Sequence, residues 1–262
     1  LSLHKYTLPI NTWTGSKGSA TDFKEDLWFS TIKEAWAMDS LLDVHIGIMQ
    51  KYDPKNEVGV IFDEWGCWYD VEPGTNPGFL YQQNTMRDAI VASMGLNIFN
   101  NHAERVKMAN IAQMVNVLQA VILTKDEQMV LTPTYYVFKM YADHQNGKLI
   151  PIDLKSGKYT FNNVSIDAVS ASASEKDGVV TLTLCNINPN KAEKVELNLG
   201  NLQKANMNGE IITSKNMNDY NDFGQVEKIS IKPFNFAVSK NKKDNMIFEL
   251  PAKSIVKLQF FN

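Results

Sequence analysis

The stretch Val58-Gly59-Val60-Ile61-Phe62-Asp63-Glu64-Trp65-Gly66-Cys67-Trp68-Tyr69 opens almost wholly apolar and closes on carboxylates and aromatic rings. A short run without polar alternation is what a strand buried on both faces carries, as in parallel sheets. Upstream, Phe23 to Tyr52 holds Leu27, Ile32, Trp36, Leu41, Leu42, Ile46 and Met49 at helical spacing. It reads as one helix, or a short one followed by a long one, ending at Asp53-Pro54. Downstream, a loop with Pro73, Gly74, Pro77 and Gly78 leads to a second helical period from Leu80 to Asn100. Arg105 to Val117 fits strand or helix, and Tyr135 to His144 fits a helix closed by Asn146-Gly147. With Leu1-Ser2-Leu3-His4 as a first strand, three βα units follow one another, which predicts a parallel sheet. A (β/α)8 barrel needs eight such units in roughly 250 residues, so three fit its last part.

Near residue 146 the period changes. Val179 to Leu184, Lys194 to Leu199, Val226 to Ile231, Met246 to Leu250 and Ile255 to Phe260 are short runs separated by turn-forming residues, the pattern of antiparallel strands. The expected fold class is therefore α/β plus all-β. The C-terminal part of a (β/α)8 TIM barrel occupies residues 1–146, and a jelly-roll-like antiparallel β-sandwich occupies 147–262. The small, polar segment Ser170 to Gly178 reads as a surface loop.

Of the 262 residues, 44% are hydrophobic, and 26 basic against 29 acidic side chains leave a net charge of −3. That balance offers no general attraction for nucleic acid or an anionic membrane, so neither is expected as a partner. No run approaches the ~18 apolar residues of a membrane span. Cys67 and Cys185 are too few and too far apart for a disulfide framework or a metal site. His45, His102 and His144 show no ligand-like spacing, so no metal is expected. Asn163-Val164-Ser165 matches a glycosylation acceptor, a tripeptide common by chance.

Carboxylates and aromatic rings at the C-terminal end of a buried parallel strand stand where barrel enzymes build their sites. Rings beside a carboxylate also suit sugars, whose C–H faces stack while the carboxylate addresses the anomeric carbon. Taken alone, the same residues are equally readable as core tryptophans and a helix cap or ion-pair partner.

Phe62 to Tyr69 resembles the nucleophile motif of the α-L-arabinofuranosidases of glycoside hydrolase family 51. Ser2-Leu3-His4-Lys5-Tyr6 is similar to that family's sixth-strand motif, and His102 to Asn116 to its eighth-strand region. Asn221-Asp222-Phe223 and Leu250-Pro251-Ala252-Lys253-Ser254 resemble features of its C-terminal sandwich. The resemblance implies a retaining enzyme that releases α-L-arabinofuranosyl groups from arabinose-containing polysaccharides or oligosaccharides, without a cofactor. It implies Glu64 as the nucleophile and Tyr6 as hydrogen-bond donor to it. It also places His4 on the same strand face as Tyr6, two residues away. Trp68 and Gln113 are implied as sugar-contacting, with Trp13 as a weaker addition. Read without the motif, His4 is a core histidine, and Gln113 is equally a buried amide tying strand end to loop. Asp63 reads as a scaffold residue.

A retaining glycosidase also needs a second carboxyl about 5 Å from the nucleophile. The resemblance implies a Glu after an Asn on an earlier strand. The one Asn-Glu pair, Asn56-Glu57, precedes the apolar run and so falls at the wrong end of the strand. Glu25 and Glu72 fall in loops on the correct side without support from the resemblance. The expectation is thus a chain beginning without Met that is part of something longer, partnered by an N-terminal remainder that supplies the acid/base. A homo-oligomer is implied only by the family's habits, and bacterial-type cytoplasmic, periplasmic and secreted locations all stay open. Two other classes remain alongside: a non-catalytic carbohydrate-binding or interaction protein, and a related barrel glycosidase of different sugar preference.

Overall fold

The computed structural model describes residues 1–10, 12–200, 202, 205–241 and 245–261. Its first half is three parallel strands, β1 (Ser2–Thr7), β2 (Val60–Cys67) and β3 (Val106–Ile111), in the order β1-β2-β3. They are linked by helices α1 (Glu25–Tyr52) and α2 (Met86–Asn101), and α3 (Pro133–Tyr141) follows β3. Among the described residues this sheet does not close into a barrel. The helical segment from Phe23 to Tyr52 is one continuous helix. It buries Trp28, Ile32, Ala35, Met38 and Leu42, a stripe at three- and four-residue spacing. Thr85 opens α2 with a capping box: its hydroxyl accepts from the Arg87 N–H, and Asp88 accepts from the Thr85 N–H at 2.7 Å. Asp53 receives the chain after α1, accepting from the Glu57 and Val58 N–H groups and pairing with the buried Arg105 guanidinium at 2.5 Å.

The second half is antiparallel. A hairpin, β4 (Ile122–Lys125) and β5 (Gln128–Leu131), lies in the connection to α3. After α3 come β6 (Lys148–Ile150), β7 (Lys158–Phe161), β8 (Val164–Asp167), β9 (Val169–Lys176), β10 (Val179–Asn186), β11 (Glu193–Leu197) and β12 (Asn206–Thr213). Four more follow: β13 (Lys232–Pro233), β14 (Ser239–Lys240), β15 (Met246–Leu250) and β16 (Ser254–Phe261). A six-stranded sheet, β13-β12-β16-β10-β9-β6, accompanies a three-stranded sheet, β11-β15-β14. Leu182 opposite Leu258 and Leu184 opposite Val256 supply its buried apolar rows.

Three readings of the sequence need correction. Ser170 to Gly178 is not a surface loop, since Val169–Lys176 forms the largely buried β9. Its alternation is of small residues: Ala171 and Ala173 join the hydrophobic core, whereas Ser170, Ser172 and Ser174 turn to the other side. There they meet α2 in a buried polar seam. The Asn97 carbonyl oxygen lies 2.8 Å from the hydroxyls of Ser172, Thr183 and Tyr141, and the His144 ring lies 2.7 Å from Ser174. Val226 to Ile231 is not a strand. Its buried Ile229 finds a partner in one side chain, Asn221, which accepts from the Ile229 N–H and donates to its carbonyl, as a neighbouring strand would. Glu25 is not in a loop but begins α1. Its carboxylate accepts from the Tyr159 hydroxyl and from Asn190, both at 2.9 Å.

Candidate functional site

The site grows from an irregularity in β2. Against β1, Leu3 pairs with Phe62 but His4 pairs with Glu64. Against β3, Phe62 pairs with Ala109 and Trp65 with Ile111. Both slips are satisfied by one extra residue in β2 around Asp63 and Glu64, which is a β-bulge. In a regular strand Glu64 would share a face with Phe62. The bulge hands that face to Trp65 instead. Phe62 and Trp65 both pack on Phe99 of α2, with ring centroids 5.1 and 5.2 Å away, and Trp65 is fully buried. A Cβ on Gly95 would stand 2.7 Å from the Trp65 ring, so this helix position has to be bare. Glu64 is thereby released to the opposite face, where β1 delivers Tyr6 and His4.

There the Tyr6 hydroxyl donates to the Glu64 carboxylate at 2.5 Å. Partial burial first, then the bonded carboxylate, push the Tyr6 hydroxyl well above its ordinary range, so it remains a protonated donor. The His4 ring nitrogen is 3.7 Å from the same carboxylate oxygen, with both side chains about half exposed (51% and 41%), a loose contact. Trp68 lies edge-on to Tyr6 at 5.1 Å and to Trp13 at 5.8 Å, and the Lys17 ammonium stands over the Trp68 ring at 5.4 Å. Trp13 is 65% exposed and so has a face open to a ligand. Five of the six residues singled out from the sequence are therefore neighbours.

Gln113 stands apart from them. It is exposed, and its neighbourhood is a cleft of about 940 Å³ at the same end of the strands, shared with Glu72, Phe79, Tyr81, Tyr220 and Phe223. Its backbone holds the β3 turn by accepting from the Val121 N–H and donating to the Val117 carbonyl. The buried amide that ties strand end to loop is Gln119, six residues on, which the sequence reading passed over. Its carbonyl accepts from the Cys67 N–H at 2.8 Å. Cys67 is the last residue of β2 and fully buried, and burial pushes its thiol upward, away from thiolate chemistry.

Three other carboxylates at this end are bonded elsewhere. Asp63 accepts from the Ser2 hydroxyl at 2.5 Å, Asp70 from the Ser16 hydroxyl and the Lys17 N–H, and Glu72 from the Gln83 N–H at 2.9 Å. Asn56 and Glu57 lie at the opposite end of β2, where Asn56 donates to Glu104 at 2.7 Å. Among the described residues no group of three or more His, Cys, Asp or Glu side chains is arranged to hold a metal ion.

The end of β2 thus carries a carboxylate turned out of register by a bulge, with the Tyr6 hydroxyl on it and Trp68 against the Tyr6 ring. Residues 63–254 match the family described as the alpha-L-arabinofuranosidase C-terminal domain. The chain belongs to this family. An intracellular exo-alpha-L-arabinofuranosidase of Bacteroides ovatus is 49% identical over 262 residues, which is 99% of this chain and 50% of that protein. The crystal structure of the GH51 arabinofuranosidase from Xanthomonas axonopodis pv. citri superposes with a TM-score of 0.93 at 42% identity, covering 99% of this chain and 52% of the other. The Thermotoga maritima alpha-L-arabinofuranosidase, solved as an arabinose complex, shares the fold at a TM-score of 0.75, 19% identity and coverage of 98% and 52%. The chain thus spans about half the length of the family members it matches. Three barrel-type βα units followed by an antiparallel sandwich are the architecture that it shares with them.

Proposed function

We propose that this chain carries the nucleophile of a retaining α-L-arabinofuranosidase. The observation that supports it most directly is the bulge-directed Glu64 carboxylate with the Tyr6 hydroxyl at 2.5 Å, at the C-terminal end of a parallel strand and beside Trp68. In this reading Glu64 attacks the anomeric carbon of an arabinofuranosyl group. The bond to the leaving oxygen breaks as a second carboxyl protonates that oxygen, leaving a glycosyl-enzyme ester. The same second group then deprotonates a water that attacks the anomeric carbon, breaking its bond to the Glu64 carboxylate, so that arabinose is released and Glu64 restored. Tyr6 fixes the carboxylate rotamer, and Trp68 with Trp13 offers ring surface to the sugar. Gln113 serves a sugar hydroxyl from the cleft side. His4 flanks the same carboxylate in loose contact.

The second carboxyl is proposed to come from outside residues 1–262, from an N-terminal remainder of the same enzyme. Asp63, Asp70 and Glu72 are each bonded to other groups, which supports that assignment. The division of the chain into 1–146 and 147–262 belongs to the same proposal, as does an arabinofuranosyl-containing oligo- or polysaccharide as substrate. A homo-oligomer is part of the same proposal, and a sizing measurement on the protein at its natural length checks it.

The test is covalent trapping. A cyclophellitol-type arabinofuranose analogue should label the protein at its natural length, with the added mass on the peptide containing Glu64. Glu64→Ala should lower turnover of an aryl arabinofuranoside by on the order of a thousandfold or more while leaving the unfolding midpoint in place. Near-normal turnover in that variant refutes the nucleophile assignment. A protein that binds arabino-oligosaccharides yet takes no label is a non-catalytic carbohydrate binder instead.

A further inference from the structure

Beyond Glu64, β2 outruns one of its neighbours. Its last pair with β3 is Trp65 with Ile111, closed by the Ala112 N–H donating to the Trp65 carbonyl at 2.9 Å. On the other side β1 continues, and the Trp68 N–H still reaches the Thr7 carbonyl at 3.0 Å. Peptide groups of successive residues in a strand face alternate sides, so the N–H and C=O of Cys67 face the side from which β3 has departed. Left there without partners, two buried polar groups would be costly.

Two fully buried glutamines fill the gap. Gln119 accepts from the Cys67 N–H at 2.8 Å, and Gln82 donates to the Cys67 carbonyl at 3.2 Å while accepting from the Tyr69 N–H at 2.8 Å. The Gln119 amide is itself anchored, donating to the Asp88 carbonyl at 2.8 Å and to the Thr134 hydroxyl at 3.1 Å. Gly66 is what lets it approach. The residue sits at φ +128°, and a Cβ there would stand 3.1 Å from the Gln119 carbonyl oxygen. The clamped segment carries Trp68, whose ring abuts Tyr6, whose hydroxyl holds Glu64.

We propose that Gln119 is a positioning residue of the candidate site: its side-chain amide stands in for the departed strand at Cys67 and so sets where Trp68, Tyr6 and Glu64 stand. The inference rests on the reading of Glu64 as nucleophile. Gln119 touches no substrate. Its effect is on the geometry of attack, where a displacement of about 1 Å costs about a hundredfold in rate.

The test compares Gln119→Met with Asn186→Ala, which removes a buried amide of the sandwich strand β10 that donates to the carbonyls of Lys191, Leu250 and Pro251. Both are made in the protein at its natural length, and rates are expressed per folded molecule. The probe is the cyclophellitol-type arabinofuranose analogue, with steady-state kcat and KM on an aryl arabinofuranoside alongside. Gln119→Met should slow labelling and lower kcat by about a hundredfold with KM moving less than about threefold, whereas Asn186→Ala should label at the unaltered rate. Should Gln119→Met not fold, Gln119→Asn keeps an amide one methylene too short, and its labelling rate should fall in the same direction. Unaltered labelling of Glu64 in the variant that folds, or a loss no larger than that of Asn186→Ala, overturns the inference alone. Labelling of the unaltered protein at a residue other than Glu64 overturns the nucleophile reading and this inference with it.

Discussion

At the scale of single residues, the Tyr6 hydroxyl is the most economical handle on the proposed chemistry. Tyr6→Phe removes one charge-assisted hydrogen bond and no packing volume. Its expected outcome is a roughly ten- to hundredfold fall in kcat, with the unfolding midpoint nearly unchanged, read by steady-state kinetics beside a denaturant titration. The cluster from Asp63 to Tyr69 was legible as a site because a carboxylate and rings directly after an apolar strand imply a position in space, whereas Tyr6 was reached only through the motif that Ser2 to Tyr6 shares with the family. Gln119 was not legible. Its role depends on a turn that brings it back beneath Gly66, and nothing in the residues around it announces that turn. A second residue-scale prediction concerns acid. His144 is buried against Ser174 and Thr183, and burial lowers its pKa from 6.5 to about 4. Between those values the unfolded chain binds a proton that the folded chain refuses, so stability is lost as pH falls, by about 2–3 kcal/mol by pH 4. His144→Gln should flatten that part of the curve in urea titrations run from pH 7 to 4. His102, whose pKa is raised by its bond to Asp39, acts in the opposite sense, stabilising below 6.5 and losing that effect as pH rises through its folded value.

Among the elements, helices and the hydrophobic strands were readable from period alone, and the misreadings share a cause. β9 has neither large apolar residues nor β-branched ones beyond Val169, so its alternation of Ala and Ser passes for a loop. What makes it a strand is tertiary: one face completes the hydrophobic core and the other meets Asn97. The bulge in β2 is likewise invisible in a sequence, because one extra residue leaves composition untouched. The contact between α2 and the Trp65 ring gives a prediction whose sign opposes the usual rule. Replacing a helical glycine by alanine ordinarily stabilises by about 0.5–1 kcal/mol. At Gly95 the added methyl would meet the Trp65 ring at 2.7 Å inside a packed core, and such overpacking costs about 1–3 kcal/mol. Gly95→Ala should therefore destabilise, and a guanidinium melt that shows a raised midpoint would refute this account. Asn97→Ala should cost about 2–3 kcal/mol on the same measurement, since three hydroxyls lose their common acceptor.

For the molecule as a whole, residues 1–262 prepared alone should hold Glu64 in place yet fail to hydrolyse an aryl arabinofuranoside, because the carboxyl that protonates the leaving group is proposed to lie outside them. Robust hydrolysis by that fragment would mean that one of its own carboxyls serves. The seam between α2 and β9 has a further consequence for anyone seeking to rearrange this protein. The serine and threonine hydroxyls that quench Asn97 come from the sandwich, while Trp65, which leans on the same helix, comes from the strand of Glu64. Excising the sandwich, or transplanting a foreign one in its place, would strand a polar stripe against bare solvent or mismatched side chains and let the helix behind the nucleophile drift. The sandwich thus serves as a buttress, and a graft that ignores the serine ladder should weaken chemistry carried out entirely by the other half.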